Sequence, residues 1–127
     1  MSKEGGPLSP HLTIYRWPIT MILSILHRAT GLALSFGLLV FAIWLGAAVL
    51  DSAAHDKVKV VLGSTIGQLF IFGYCLSFFF HLSNGIRHLI WDAGYMFEKR
   101  QANVSSWFVL VMTVFLTFSY WFLVKAG

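Results

Sequence analysis

The sequence is short of charge and nearly empty of cysteine. Charged residues occupy 11% of its 127 positions, where a soluble domain carries about 25%. The single cysteine, Cys75, excludes an intrachain disulfide, a Cys-x-x-Cys-His haem attachment, a cysteine-built zinc site and an iron–sulfur cluster carried by this chain alone. Its place inside an apolar run makes it a small packing residue. The net charge of +4 comes from scattered residues without a basic block or basic helix face, so nucleic acid is not an expected partner. No P-loop glycine pattern, Ser-His-Asp constellation or His-Glu-x-x-His helix occurs, which leaves hydrolytic and nucleotide chemistry without a foothold. No apolar stretch precedes Trp17, and the N-terminal residues are not Arg-rich and acid-poor. Neither a signal peptide nor a transit peptide is therefore expected.

Apolar residues are abundant. They form 57% of the chain, and mean hydropathy is +0.75. The apolar runs are long enough to be membrane spans. The expected fold is an all-α membrane protein with three transmembrane helices, forming one domain over 1–127. Gly5, Gly6, Pro7 and Pro10 disfavour a helix at the start. Tyr15 and Trp17 beside Arg16 read as an interfacial anchor, and Pro18 suits the first turn of a helix.

The spans are expected at about 19–50, 60–91 and 104–124. The first is about 48 Å of helix, longer than a hydrocarbon core of about 30 Å, so its first turns protrude or tilt. Asp51–Lys59 reads as a short polar loop with His55 exposed in it. Gly94 and Glu98–Arg100 mark the next loop. The third span has no ionisable side chain except Tyr120, and its Thr113, Thr117 and Ser119 are expected to bond back to the helix or pack. Lys3, Arg16, Arg28, Arg87, Lys99 and Arg100 lie on one side, against Lys57, Lys59 and Lys125 on the other. The positive-inside rule then puts the N-terminus in the cytoplasm. Three spans without an internal repeat leave no room for an inverted-repeat transporter.

Two polar clusters interrupt the apolar pattern, and this topology brings them to the same depth. On span two, Gly73, Ser77, His81, Gly85, His88 and Asp92 recur every three or four residues and share a face. Small residues let a neighbouring helix or a flat cofactor approach the backbone. A neutral imidazole on such a stripe suits an axial ligand to haem iron. His81 and His88 are about 10.5 Å apart along the axis, so one iron takes at most one of them. His81, the deeper, is assigned the iron; His88 lies where water or a haem propionate could meet it. The plainer alternative is a hydrogen bond from His81 to a hydroxyl on a neighbouring helix. Arg87 and Asp92 are expected to cap and anchor the helix end at the interface.

On span one, Ser24, His27 and Arg28 lie at i, i+3 and i+4. A hydroxyl donor and a fixed positive charge at an apolar boundary suit a quinone carbonyl, because they stabilise the negative charge that develops on reduction. A nearby histidine can relay the protons. Spacing alone favours the plainer account, in which Arg28 snorkels to headgroups and Ser24 bonds its own backbone.

Three motifs, in this order, resemble a known family. They are Pro7-Leu-Ser-Pro-His-Leu-Thr-Ile-Tyr15, Ser24-Ile-Leu-His-Arg-Ala-Thr-Gly31 and His81-x-x-x-Gly-Ile-Arg-His-Leu-x-x-Asp92. Together they look like the cytochrome b membrane-anchor subunit of succinate dehydrogenase, respiratory complex II. The resemblance spans nearly the whole chain. It implies that His81 is a haem-b axial ligand, with the second ligand supplied by a small companion anchor subunit that completes the helical bundle. It implies a ubiquinone site at Ser24 and Arg28, with Leu12 and Trp17 near the headgroup, and His27 with Arg28 on the haem-propionate side. It further implies an iron–sulfur subunit and a flavoprotein subunit docked on the cytoplasmic face in bacteria. The N-terminal residues, read above as neither signal nor transit peptide, suit a bacterial inner-membrane protein with lipid around its helices, with a mature organellar form as the alternative. Two other readings stay open: an anchor of a fumarate reductase, and a haem-free structural anchor.

Overall fold

A computed structural model describes residues 16–127, and all regular structure among them is helical. Helix α1 spans Ile19–Leu50, α2 Ser52–Gly63, α3 Thr65–Asp92 and α4 Lys99–Ala126. Three of these, α1, α3 and α4, are long and apolar enough to cross a membrane. The twelve residues of α2 reach about 18 Å and do not.

The polar loop expected at Asp51–Lys59 is instead the body of α2, and span two starts at Thr65 rather than near Val60. The reason is local. Asp51 is extended, and its carboxylate accepts the backbone N–H of Ala53 at 2.9 Å and of Ala54 at 3.3 Å, which caps two of the free donors at a helix start. Ser64 breaks the chain between α2 and α3 and caps the latter through the Gly67 N–H. Gly67 is required at this corner, because a Cβ there would collide with backbone atoms of Val61 and Leu62. His55, expected to be exposed, is half-buried against Trp44, with ring centroids 5.7 Å apart. At the exposed face of α2, Lys59 pairs with Asp56 at 2.8 Å. The hydrogen bond and charge of Lys59 hold the Asp56 carboxyl below the usual carboxylate range.

The other end of α3 closes with paired backbone bonds. The Gly94 N–H reaches the Trp91 carbonyl and the Tyr95 N–H the Ile90 carbonyl, with Gly94 at φ +94°. That is the left-handed helix stop that glycine makes accessible. Residues 93–98 then turn the chain back, and α4 begins at Lys99, a turn earlier than expected.

Helix α3 lies against both α1 and α4. The enclosed apolar centre is small: Leu23, Phe80 and Val109, with Ile19 and Leu110 against them. Much of the α3–α4 seam is polar or small instead, with Asn84, Ser105, Ser106, Thr113 and Thr117 all buried. Small and hydroxyl side chains let helices approach closely where lipid removes the hydrophobic drive. Thr113 and Thr117 bond back to the carbonyls four residues earlier, each at 2.7 Å, as expected. Large apolar side chains such as Leu32, Phe36, Leu39 and Ile43 face outward on α1, which suits a chain with lipid or another helix as its solvent.

Candidate functional site

Along α1, at about 100° per residue, Leu23, His27 and Thr30 share the inward face, while Ser24 and Arg28 turn toward its flank. Leu23 is buried, Ser24 half-buried and Arg28 exposed. The inward face meets the stripe on α3. The His27 ring stacks on His81, with centroids 4.0 Å apart and planes 6° from parallel. Its neighbour His88 lies at 5.2 Å and 13°. The two polar clusters expected at one depth therefore meet as a column of three imidazoles.

Small residues make the approach possible. A Cβ on Gly31 would stand 3.0 Å from His81 Cε1, and one on Gly85 would stand 3.9 Å from His27 Cε1. The α3 stripe thus serves the α1 histidine directly. At the helix end Asp92 is exposed, and Trp17, before α1, is 47% exposed. Leu12 lies outside the described residues.

The hydrogen bonds fix the state of His81. Its Nδ1 lies 3.2 Å from the His27 carbonyl and 3.3 Å from Thr30 Oγ1. A carbonyl only accepts, so Nδ1 carries a proton, and in the neutral ring the lone pair is then on Nε2. A ring anchored through Nδ1–H with Nε2 free is the state that binds a metal. His88 reaches the same tautomer within α3, its Nδ1 donating to the Asn84 carbonyl at 2.9 Å. Ring lone pairs lie in the ring plane, and two near-parallel planes do not meet at bonding distance. His27 and His81, so stacked, cannot share one metal ion. The three rings are gathered but stacked, and no group of three or more His, Cys, Asp or Glu side chains among the described residues is arranged to hold a metal ion by itself. His27 Nδ1 is buried without a hydrogen-bond partner among them, an acceptor or donor left over for something else. These residues fit a haem that takes one axial imidazole from this chain.

Among the described residues, Thr30 bonds back to Leu26 and Ser35 to Gly31, whereas the Ser24 hydroxyl, like that of Thr20, makes no bond back to the helix. The expected back-bond of Ser24 is therefore absent, and Arg28 follows it one turn later on the same helix.

Arg87 corrects the sequence-based expectation. It does not cap the helix at the interface but is 3% exposed and points into α4. Its Nε donates to Ser105 Oγ at 2.9 Å, one terminal nitrogen to Asn84 Oδ1 at 3.1 Å and the other to the Ala102 carbonyl at 3.3 Å. Its cationic carbon sits 4.1 Å from the Trp91 ring centre. Thr30, Asn84 and Ser105 were not singled out from the sequence. Thr30, three residues beyond His27 on the same helix face, carried a usable signal; Asn84 and Ser105 did not, because which face of α3 meets α4 is decided by packing.

Comparison with known proteins gives the family. The family model described as succinate dehydrogenase/fumarate reductase transmembrane subunit matches residues 2–119. The chain belongs to that family. Among relatives of this transmembrane-subunit family, the succinate dehydrogenase cytochrome b556 subunit of Rickettsia felis is 39% identical over 91% of this chain and 90% of its own. That of Paracoccus denitrificans is 41% identical over 91% and 89%. The mitochondrial cytochrome b560 subunit of Sus scrofa is 42% identical over 87% and 67%. The family and these relatives make the chain a membrane-anchor subunit of the complex II type, part of an oxidoreductase complex, with three membrane-spanning helices.

Proposed function

We propose that this anchor holds one side of a b-type haem through His81 and forms part of a ubiquinone-reduction site at Ser24 and Arg28. Relatives bear the name cytochrome b, and the observation that carries the reading is the His81 imidazole: its Nδ1–H rests on the His27 carbonyl and leaves Nε2 as a free lone pair. His81 would hold the iron from this chain, and a small companion anchor subunit would supply the other ligand. The haem, when bound, would supply a one-electron store. His27, with its unpartnered Nδ1, Arg28 and, less directly, His88 face the propionates.

At the flank of α1, the Ser24 hydroxyl donates to a quinone carbonyl and the Arg28 guanidinium stabilises the negative charge that builds on it during reduction. Leu12 and Trp17 complete the pocket near the headgroup. Electrons from succinate reach this face through the flavin of one partner subunit and the iron–sulfur clusters of another. This chain does not itself oxidise succinate. The helices lie in a bacterial inner membrane with the N-terminus in the cytoplasm, where those two subunits dock.

Arg28→Leu tests the quinone assignment. It is expected to cut succinate:quinone activity at least tenfold while succinate oxidation by a soluble dye acceptor persists. Equal loss of both would mean that Arg28 holds the assembly together rather than serving quinone.

A further inference from the structure

We propose that Thr30 and Gly31 form, with His27, a clamp that fixes the tautomer and ring plane of His81, and that Thr30 thereby lowers the potential of the haem His81 binds. The inference rests on the axial role of His81 argued above.

The hydrogen-bond directions carry it. Thr30 Oγ1 lies 2.8 Å from the Leu26 carbonyl and 3.0 Å from the His27 carbonyl. A hydroxyl has one proton, and here it goes to those carbonyls. The oxygen's lone pairs then face His81 Nδ1 at 3.3 Å. The His27 carbonyl lies on the same nitrogen at 3.2 Å, so one N–H is shared between two acceptors. Two acceptors draw that proton outward and enrich the ring, which makes Nε2 a stronger donor. A stronger donor favours the oxidised metal, so the shared bond lowers the potential.

The ring plane is held from three sides. His27 covers one face at 4.0 Å. Residue 31 presents only backbone to the Cε1 edge, and a Cβ there would stand 3.0 Å away, forcing the ring to shift by a few tenths of an ångström. Rotating the ring would break both Nδ1 contacts. One turn of α1, His27–Gly31, thus acts on the imidazole without touching the metal. Thr30 is a positioning residue, not a catalytic one.

The test uses the purified haem-containing complex, read by potentiometric titration and by the low-spin electron paramagnetic resonance spectrum. Thr30→Val keeps the shape and removes the acceptor; the haem stays low-spin and its midpoint potential moves upward. Thr30→Ser keeps the acceptor and holds the parent potential. If Thr30→Val does not assemble, Thr30→Ala also lacks the acceptor and gives the same upward shift. Gly31→Ala alters the anisotropy of the low-spin signal, which reports ring orientation. Parent-like potentials in the valine and alanine variants, or the same shift in the serine variant, overturn the clamp. A His81→Leu complex that keeps an unaltered low-spin signal overturns the axial assignment and the clamp together. Loss of that signal with an unmoved potential in Thr30→Val overturns the clamp alone.

Discussion

Arg87 illustrates how a single charge is accommodated inside an apolar bundle. Its guanidinium spends three donors on Ser105, Asn84 and the Ala102 carbonyl and lays its face on Trp91. No carboxylate is needed, because hydrogen bonds and an aromatic face share the cost of desolvation. Removing it would leave Asn84 Oδ1 without that donor at a fully buried residue. Arg87→Leu is therefore expected to cost on the order of 3 kcal/mol, read as a lower melting temperature of the detergent-solubilised complex. Arg87→Lys should recover only part of it, since an ammonium cannot reproduce the planar fork. Arg28, by contrast, is exposed, and Arg28→Leu should leave the melting temperature where it is. Nothing in the sequence separates these two arginines as inward and outward. Each has a histidine beside it in a largely apolar helix, His27 before Arg28 and His88 after Arg87, and only packing against a second helix decides which way it turns.

At the scale of elements, the long helices were legible and the short one was not. Uninterrupted apolar runs leave the backbone no option in lipid but to satisfy its own hydrogen bonds, so α1, α3 and α4 follow from composition. The segment after Asp51 is polar and by composition reads as a loop, although Asp51 before Ser52-Ala-Ala is a helix-start signal. Asp51→Ala should destabilise α2 by about 1 kcal/mol, seen as faster amide exchange across Ser52–Gly63. The Asp56–Lys59 pair on the same helix behaves differently. Because its carboxyl is held below the usual range, its support is present above that range and is lost only as pH falls through the lowered value. Both side chains are open to solvent, so the effect stays small. Between α1 and α3 the tightest fit is Gly37 beneath the Tyr74 ring, where a Cβ would overlap ring atoms. Gly37→Ala should loosen this crossing and weaken assembly of the complex, and adding Tyr74→Ala should restore much of the loss. If the second change adds to the damage, the two residues do not share the space as described.

The whole molecule is a scaffold with an unequal pair of ends. One end gathers His27, His81, His88 and Arg28; the other holds α2 and the Lys125–Gln68 bond at 2.7 Å. Convergence of the first cluster was legible from helix lengths and antiparallel order. The ring stacking, the lack of a Ser24 back-bond among the described residues and the Thr30 contact were not, because they depend on local packing and on the rotation of α1 about its axis. Orientation across the membrane has a direct check. With Cys75 replaced, a cysteine at Lys57 should react with an impermeant thiol reagent from the outer side, and one at Arg100 should not. The opposite labelling would invert the proposed docking face.

The central claim is that His81 supplies one axial ligand to a b-type haem. The most direct measurement is the dithionite-reduced optical spectrum of the purified membrane complex carrying His81→Leu, with subunit content verified. Loss or displacement of the reduced b-type α band is the predicted result. A band of unchanged position and intensity would contradict the assignment.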